Sequence, residues 1–467
     1  MTPLETGLIG FAVLTCLIYS GMQISTALLL VAFTGTALIR GDWMLAGQLL
    51  AQTATDSVTE YEFGTAPLFV LMGFMVMAAG VGRDCYQVAE RMLKNVPGGI
   101  GHATVVGNAV FSAVTGVSIA AVVLFTKMAV PEMLKRGYHP RLAVGVVAGS
   151  AMLGMLIPPS VLMIIYAVIT ETSIGDIYNA GIIPGRVLSA AFMGAICCIA
   201  QWSPEMVGMT ASPAATQAAT QAAPQLAQRA STQAPAAAVA PADAGTSPGP
   251  GVLAALMPIL ILIGLVLGGM YAGVFTATEA GAVGAAGSMV VAWYRNALTP
   301  RVFWNILVDT GYVTSSIILI IAAAALFTRF LAISGLPGYL SQWIAAHQFS
   351  LLTVMLVYIG IVLLLGTALD SVSTVLIAVP VFAPVFKDLG ADLVWVGIIT
   401  MIAVEVGLIT PPLGMSPFIV KATLDSDGLG KDISLNDVYM GALPFAGAAL
   451  VVIGLLVAFP GIALIGR

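Results

Sequence analysis

The chain has 467 residues, of which 59% are hydrophobic and only 8% charged, with a mean hydropathy of +1.02. A soluble protein of this length needs far more polar surface, so the composition specifies an all-α polytopic membrane protein. A thinly spread formal charge of −5 implies no nucleic-acid partner, and the four cysteines (Cys16, Cys85, Cys197, Cys198) lie in or beside apolar runs without metal spacing.

Residues 6–39 carry no charge, and Gly21 with Gln23 divides them into two predicted spans, about 4–20 and 22–39. The N-terminus lacks a charged leader and a small-residue cleavage site, so the first span is expected to be retained. Residues 40–64 form a polar segment with Asp42, Asp56, Glu60 and Glu62. A span at about 65–82 follows, then a basic segment with Arg83, Arg91 and Lys94. The apolar run 102–126 is followed at once by Lys127, Lys135, Arg136 and Arg141. One spanning helix would put the two basic clusters on opposite sides, against the positive-inside rule. Two full spans need roughly 40 residues, more than the run supplies. A re-entrant hairpin at about 102–130, turning at Thr115-Gly116, keeps both clusters in the cytoplasm. A single span with atypical flanks is the other reading.

The chain next crosses at 142–170, where Pro158-Pro159 interrupts the apolar run. Proline removes a backbone donor and clashes with the preceding turn. Freed backbone groups are tolerated in a membrane only where protein or a water-filled cavity satisfies them. The crossing is therefore a discontinuous helix, and the chain returns at about 184–202. Residues 203–250 are rich in Ala, Gln, Pro, Thr and Ser, with Glu205, Arg229 and Asp243 as their charges. Such a composition does not bury a core, so this stretch reads as a disordered cytoplasmic linker. Spans at about 252–272 and 274–294, an amphipathic stretch (301–310) and a span at 311–333 come next. A second hairpin at about 351–385 carries Gly366-Thr367 and Asp370 near its middle. A second broken crossing at about 393–422 contains Pro411-Pro412, and a last span runs at about 442–464.

The two halves align at one offset. Ser118 falls on Ser371, Pro131 on Pro384, Gly137 on Gly390, Gly154 on Gly407, and Pro158-Pro159 on Pro411-Pro412. Residues 1–202 and 251–467 thus form two inverted-topology repeats, each with a re-entrant hairpin and a Pro-Pro broken helix. Both termini are then expected in the periplasm.

Four irregular elements, two hairpin tips and two breaks, mark where a site belongs. Broken helices expose carbonyls at one end and amides at the other. Carbonyls suit Na⁺, while amides and hydroxyls suit a carboxylate. The expected Na⁺ positions are Thr115, Gly116, Ser118, Gly154, Pro158, Gly366, Thr367, Asp370, Thr410, Pro411 and Gly414. The expected solute positions are Ser118, Ser160, Thr367, Ser371 and Ser373. For each hydroxyl alone, helix packing or back-bonding is the plainer reading. Asp370 either binds Na⁺ or a proton, or caps a helix. Glu279 reads as a first-turn acid capped by Thr276 or Thr278. Glu405 faces either a neighbouring helix or the cavity. Arg329 is expected to snorkel. His102, His139 and His347 show no relay pattern. No nucleophile–base pair, phosphate loop or metal cluster points to an enzyme.

At these residues the sequence resembles the large membrane subunit, DctM-like, of tripartite ATP-independent periplasmic (TRAP) transporters. The resemblance rests on Pro67-Leu68-Phe69-Val70-Leu71-Met72-Gly73, Pro131-Glu132-Met133, Leu153-Gly154-Met155-Leu156-Ile157-Pro158-Pro159-Ser160 and Gly181-Ile182-Ile183-Pro184-Gly185. The second half adds Gly273-Val274-Phe275-Thr276-Ala277-Thr278-Glu279-Ala280 and Thr410-Pro411-Pro412-Leu413-Gly414. The tip Val114-Thr115-Gly116-Val117-Ser118 departs from the Ser-Gly-Ser-Ser type usual in that family. The resemblance implies Na⁺ symport of an organic anion, such as a C4-dicarboxylate or sugar acid, across the bacterial inner membrane. It also implies an elevator-type transport domain beside a scaffold, a separate small membrane subunit of about four helices, and a periplasmic binding protein that delivers the solute. No organic cofactor is implied. A stand-alone Na⁺- or H⁺-coupled carboxylate carrier and a non-transporting membrane scaffold are the competing readings.

Overall fold

The structure is a computed structural model that describes residues 2–59, 64–116, 118–208, 252–430 and 433–465. Glu60, Glu62, Val117, Lys431, Asp432 and the linker from 209 onward lie outside the described residues. Among the described residues the chain is helical, and four helices are each long and apolar enough to cross a membrane. Two further helix pairs, bent by 63° and 43°, qualify as broken spans.

The first two spans are α1 (Pro3–Tyr19) and α2 (Ile24–Arg40). Part of the predicted polar segment is a helix, α3 (Trp43–Thr59). Asp42 starts it by accepting the Met44 and Leu45 amides at 2.7 and 3.2 Å. The span expected at 65–82 ends earlier, as α4 (Thr65–Ala78), and the basic segment is itself a helix, α5 (Val81–Leu93). Gly80 makes the bend between them with φ +71°. A left-handed backbone angle of this kind suits glycine because it has no Cβ to clash.

The first hairpin is α6 (Gly99–Thr115) and α7 (Ser118–Lys135). The first discontinuous helix is α8 (Pro140–Ser150), the short α9 (Leu153–Leu156) and α10 (Val161–Thr170). The return span starts ten residues before the expected 184, as α11 (Ile174–Trp202), because Ser173 caps it on the Asp176 amide and Pro184 is absorbed within it. The described structure continues to Gly208, inside the predicted linker. A turn at Pro204–Met206 follows, the His139 amide donates to the Met206 carbonyl at 3.0 Å, and Val207 is buried.

The second half begins with α12 (Val252–Ile263), a π turn (Gly264–Gly268) and α13 (Gly269–Tyr271). Thr276 and Glu279 form a reciprocal capping box at the start of α14 (Ala277–Tyr294), as the sequence indicates. The predicted amphipathic stretch and span are one 35-residue helix, α15 (Pro300–Ser334), because no proline interrupts it after Pro300. Next come α16 (Leu336–Ala346) and a second pair of antiparallel helices, α17 (Leu351–Gly366) and α18 (Ser371–Asp388). The second discontinuous helix is α19 (Leu393–Ile409) and α20 (Met415–Ser426). The last span, α21 (Leu435–Ala458), starts earlier than expected and is followed by α22 (Gly461–Leu464).

Packing separates two groups. α1, α2, α3 and α15 pack together, and α4 packs on α14 and α15. Arg329 on α15, expected to snorkel, is ion-paired. It donates to Thr53 and Asp56 on α3, both at 2.9 Å, because α3 lies alongside it. The other group holds both hairpins, both breaks, α11 and α21. Here elements from opposite ends of the chain interleave: α8 packs on α21, α7 on α20, and α10 on α18. Lys127 pairs with Asp427 at 3.4 Å and Arg141 with Asp437 at 2.6 Å. Elsewhere the Tyr166 hydroxyl donates to the Leu393 carbonyl at 2.6 Å.

Candidate functional site

The first hairpin tip sits against the first break through backbone atoms. Gly116 terminates α6 with φ +63°, its amide bonded to the Ser112 carbonyl at 3.0 Å. Its own carbonyl accepts the Val161 amide at 3.4 Å, on the far side of the break. A Cβ at Gly116 would run into the Pro159 carbonyl, and one at Gly154 would lie 3.0 Å from the Ser118 Cα. Ile157 ends α9 in extended geometry, and the Pro158-Pro159 peptide is cis. Ser160 then caps α10 by accepting the Met163 amide at 3.5 Å, while its carbonyl accepts the Tyr178 hydroxyl at 3.3 Å. The Thr115 hydroxyl is occupied by the Phe111 carbonyl at 3.0 Å. Thr115, Gly116, Ser118, Gly154, Pro158 and Ser160 therefore come together.

Two residues that the sequence reading passed over join this cluster. Ser112 Oγ and Asn108 Oδ1 are fully buried and have no hydrogen-bond partner. They lie one turn apart on α6, Ser112 Oγ being 3.4 Å from the Cβ position of Gly154. Asn108 Nδ2 donates to Ser150 Oγ at 2.5 Å. Buried polar atoms nearly always have partners, so an orphaned pair beside a helix break is a candidate ligand pair for a group from outside the chain. The available signal was a polar i, i+4 pair inside an apolar helix.

The second tip is built differently. Gly366 ends α17 against Gly407, its Cβ position 3.1 Å from the Gly407 Cα. The Thr367 hydroxyl donates to the Leu364 carbonyl at 2.8 Å. Asp370 caps α18, accepting the Val372 and Ser373 amides at 3.1 and 3.3 Å together with the Ser373 hydroxyl. The Ser371 hydroxyl donates to Glu405 Oε1 at 2.9 Å, and Glu405 is only 2% exposed. Glu405 thus faces the second tip, not a lipid-exposed surface. Among the described residues no ion pair reaches Glu405 or Asp370.

Thr410, Pro411 and Gly414 form their own cluster at the second break. Thr410 is extended, with its hydroxyl on the Val406 carbonyl at 2.6 Å, and Pro411-Pro412 is cis. Tyr439 Oη lies 3.3 Å from both the Pro412 and Gly414 carbonyls. The first break is buried, whereas Pro411 to Leu413 are exposed. The helices flanking the first break pack on the second half, α10 on α18 and α9 on α19.

Chemically these are oxygen-rich sites made of carbonyls, hydroxyls and two carboxyl groups. Among the described residues no three His, Cys, Asp or Glu side chains group as metal ligands. Such donors match a hard, weakly held cation.

Comparison with known proteins agrees with this architecture. The sequence profile described as "Tripartite ATP-independent periplasmic transporter, DctM component" matches residues 9–462. A C4-dicarboxylate TRAP transporter large permease protein, DctM, of Pseudomonas aeruginosa is 29% identical over 89% of this chain and 88% of its own. The sialic acid TRAP transporter large permease protein SiaM of Vibrio cholerae is 26% identical over 95% and 94%. A 2,3-diketo-L-gulonate TRAP transporter large permease protein, YiaN, of Escherichia coli is 29% identical over 94% and 93%. Among solved structures, the Alcanivorax borkumensis YdaH transporter superposes with a TM-score of 0.54 over 89% of each chain at 17% identity, a likeness of fold alone. These relatives are permeases, not enzymes. With all-helical architecture, broken helices and a family match over nearly its whole length, the chain is a multi-pass membrane protein that belongs to the DctM component family of tripartite ATP-independent periplasmic transporters.

Proposed function

We propose that the protein is the large permease subunit of a Na⁺-coupled importer of organic anions in a bacterial inner membrane. The observation that carries the ion site is the first cluster, where the Gly116 backbone, Gly154 and the orphaned Ser112 and Asn108 oxygens converge at a helix break. Na⁺ would be held by carbonyls of the tip and break with Ser112 as a side-chain ligand. The solute carboxylate would meet Ser118 and Ser160, while Thr115, Thr367, Ser371, Ser373 and Thr410, whose hydroxyl protons are occupied, would offer only lone pairs.

The inverted repeat supports this reading. Ser118–Lys135 and Ser371–Asp388 are helices of 18 residues each at the same offset as the paired breaks. Lys127 on α7 and Arg141 at the start of α8 pair with Asp427 and Asp437, and Tyr166 on α10 reaches the Leu393 carbonyl at the start of α19, ties between the two halves that suit interleaved inverted repeats with periplasmic termini. Separation into a frame around α15 and a group holding both tips supports elevator movement. The family's tripartite description supports a small membrane subunit and a binding protein as partners. The match covers only 60% of the Haemophilus influenzae sialic acid TRAP transporter permease SiaT, which leaves room in that protein for a further segment. The relatives' named solutes are C4-dicarboxylates, sialic acid, 2,3-diketo-L-gulonate and isethionate, a sulfonate, so an organic anion is the shared class and a carboxylate its commonest member.

Proteoliposomes containing both membrane subunits and the binding protein test the coupling. Uptake should require external Na⁺ and stop when choline replaces it. A second reading, proton coupling, is favoured by Glu405, a buried carboxyl group without a cationic partner. Uptake driven by a pH gradient without Na⁺, and abolished by E405Q, would establish that reading instead. Ser112→Ala should leave the Na⁺-free protein as stable or slightly more so, because an unsatisfied buried hydroxyl is removed. Na⁺ affinity should fall about tenfold, as for loss of one charge-assisted contact. Thermal stability titrated with NaCl reads both effects.

A further inference from the structure

The spans that follow the two broken helices open on the same pattern. α11 starts at Ser173-Ile174-Gly175-Asp176-Ile177-Tyr178, and α21 at Ser434-Leu435-Asn436-Asp437-Val438-Tyr439. In each, the serine caps the helix by accepting the aspartate amide, at 3.3 and 3.2 Å. The cap fixes the register of the first turn and so places the tyrosine in the second. Both tyrosines are buried, and each hydroxyl reaches back to main-chain carbonyls of the break that its helix follows. The two halves therefore correspond in side-chain chemistry at the breaks as well as in their Pro-Pro positions.

The two contacts differ in one respect. Tyr178 has one acceptor, the Ser160 carbonyl at 3.3 Å, and Ser160 itself caps α10. The hydroxyl thus ties α11 to the first residue past the proline pair. Tyr439 Oη lies 3.3 Å from two carbonyls, those of Pro412 and Gly414. These flank Leu413, the position that aligns with Ser160. A phenol has one proton, so it cannot saturate both carbonyls. The Cβ position of Gly414 lies 2.5 and 2.8 Å from the Leu408 and Thr410 carbonyl oxygens, so these oxygens crowd the same turn. Among the described residues only the Tyr439 hydroxyl donates a side-chain proton to this group. Clustered carbonyl dipoles repel one another, and a donor or a cation relieves them. Pro411 to Leu413 are exposed, so an ion reaches this turn from water.

We propose that Tyr178 and Tyr439 are paired positioning residues, each fixing the carbonyls of one break. Tyr178 is a single lock. Tyr439 is a shared donor that holds the second break while leaving one carbonyl oxygen for the coupling cation. The cation's part rests on the ion-coupled reading of the proposed function, whereas the positioning of the two breaks does not.

The test uses the full chain as wild type, Y178F, Y439F and Y166F. Phenylalanine keeps the ring and removes the proton. Tyr166 is the control, because its hydroxyl also donates to a main-chain carbonyl, that of Leu393, outside both breaks. Hydrogen–deuterium exchange should speed up in the 408–416 peptide of Y439F and in the 153–162 peptide of Y178F, each variant leaving the other break as in wild type. Melting temperature titrated with NaCl against choline chloride should give Y439F a roughly three- to tenfold weaker Na⁺ affinity, as for loss of one hydrogen bond. Y166F should keep the wild-type affinity even where its melting temperature falls. Exchange equal to wild type at both breaks overturns the positioning roles. Faster exchange in Y439F with unchanged Na⁺ affinity overturns the ligand role of the second break. A wild type that NaCl does not stabilise overturns the coupling ion and the ligand role with it, while exchange still decides the positioning.

Discussion

Gly116→Ala should abolish transport while the protein still inserts, whereas Gly80→Ala should leave transport measurable. The two glycines have similar backbone angles, φ +63° and +71°. Each substitution therefore carries the same conformational cost, about 1–2 kcal/mol for a left-handed L-residue. They differ in surroundings. Nothing lies within 4 Å of a Cβ at Gly80, whereas one at Gly116 would overlap the Pro159 carbonyl. No rotamer relieves that overlap, because both partners are backbone. The tip must retreat from the break, which breaks the Val161 amide contact to Gly116 and opens the cluster around Ser112 and Gly154. Uptake in proteoliposomes should fall at least tenfold beyond any loss in the Gly80 variant, with melting temperature recorded for both. Equal uptake by the two variants would separate the tip from the transport machinery.

Gly145→Leu or Gly441→Leu should prevent assembly of a folded protein. These residues bring α8 and α21 into backbone contact, the Cβ position of each colliding with main-chain atoms of the other helix. Small residues permit such approach in lipid, where packing, not hydrophobic transfer, holds helices together. Overpacking a core with side-chain freedom costs about 1–3 kcal/mol, and here there is none to yield, so the cost should exceed that range. Separation would also stretch the Arg141–Asp437 pair next to the contact. Gly447→Leu and Gly454→Leu are controls on the same helix, where nothing lies within 4 Å. Fluorescence-detected size exclusion should show a monodisperse peak for the controls and aggregate for Gly145→Leu and Gly441→Leu.

Much of this protein was written locally. Hydropathy placed the spans, since burying an apolar run in lipid depends on the run itself. Pro158-Pro159 and Pro411-Pro412 located both breaks, because two consecutive prolines remove successive donors, whereas a single proline such as Pro184 is absorbed within its helix. Thr276 and Glu279 announced their capping box, which involves only four consecutive residues. The order and spacing of the Pro-Pro segments with the Gly181–Gly185 and Gly273–Ala280 stretches carried the family resemblance.

Tertiary structure decided what those local signals left open. Asp370 caps α18 through the Val372 and Ser373 amides and draws in the Ser373 hydroxyl. Glu405 points to Ser371 and not to solvent because α17, α18 and α19 fold back on one another. Arg329 finds Thr53 and Asp56, more than 270 residues earlier. The tip predicted from Thr115 and Ser118 hydroxyls proved to be chiefly a backbone contact of Gly116 with Pro159 and Val161, while Ser112 and Asn108 entered unannounced. A hydropathy run or a proline acts through its immediate neighbours and is legible in one dimension. A hydrogen-bond partner, an orphaned oxygen or a glycine contact between remote helices exists only once the chain has folded back on itself.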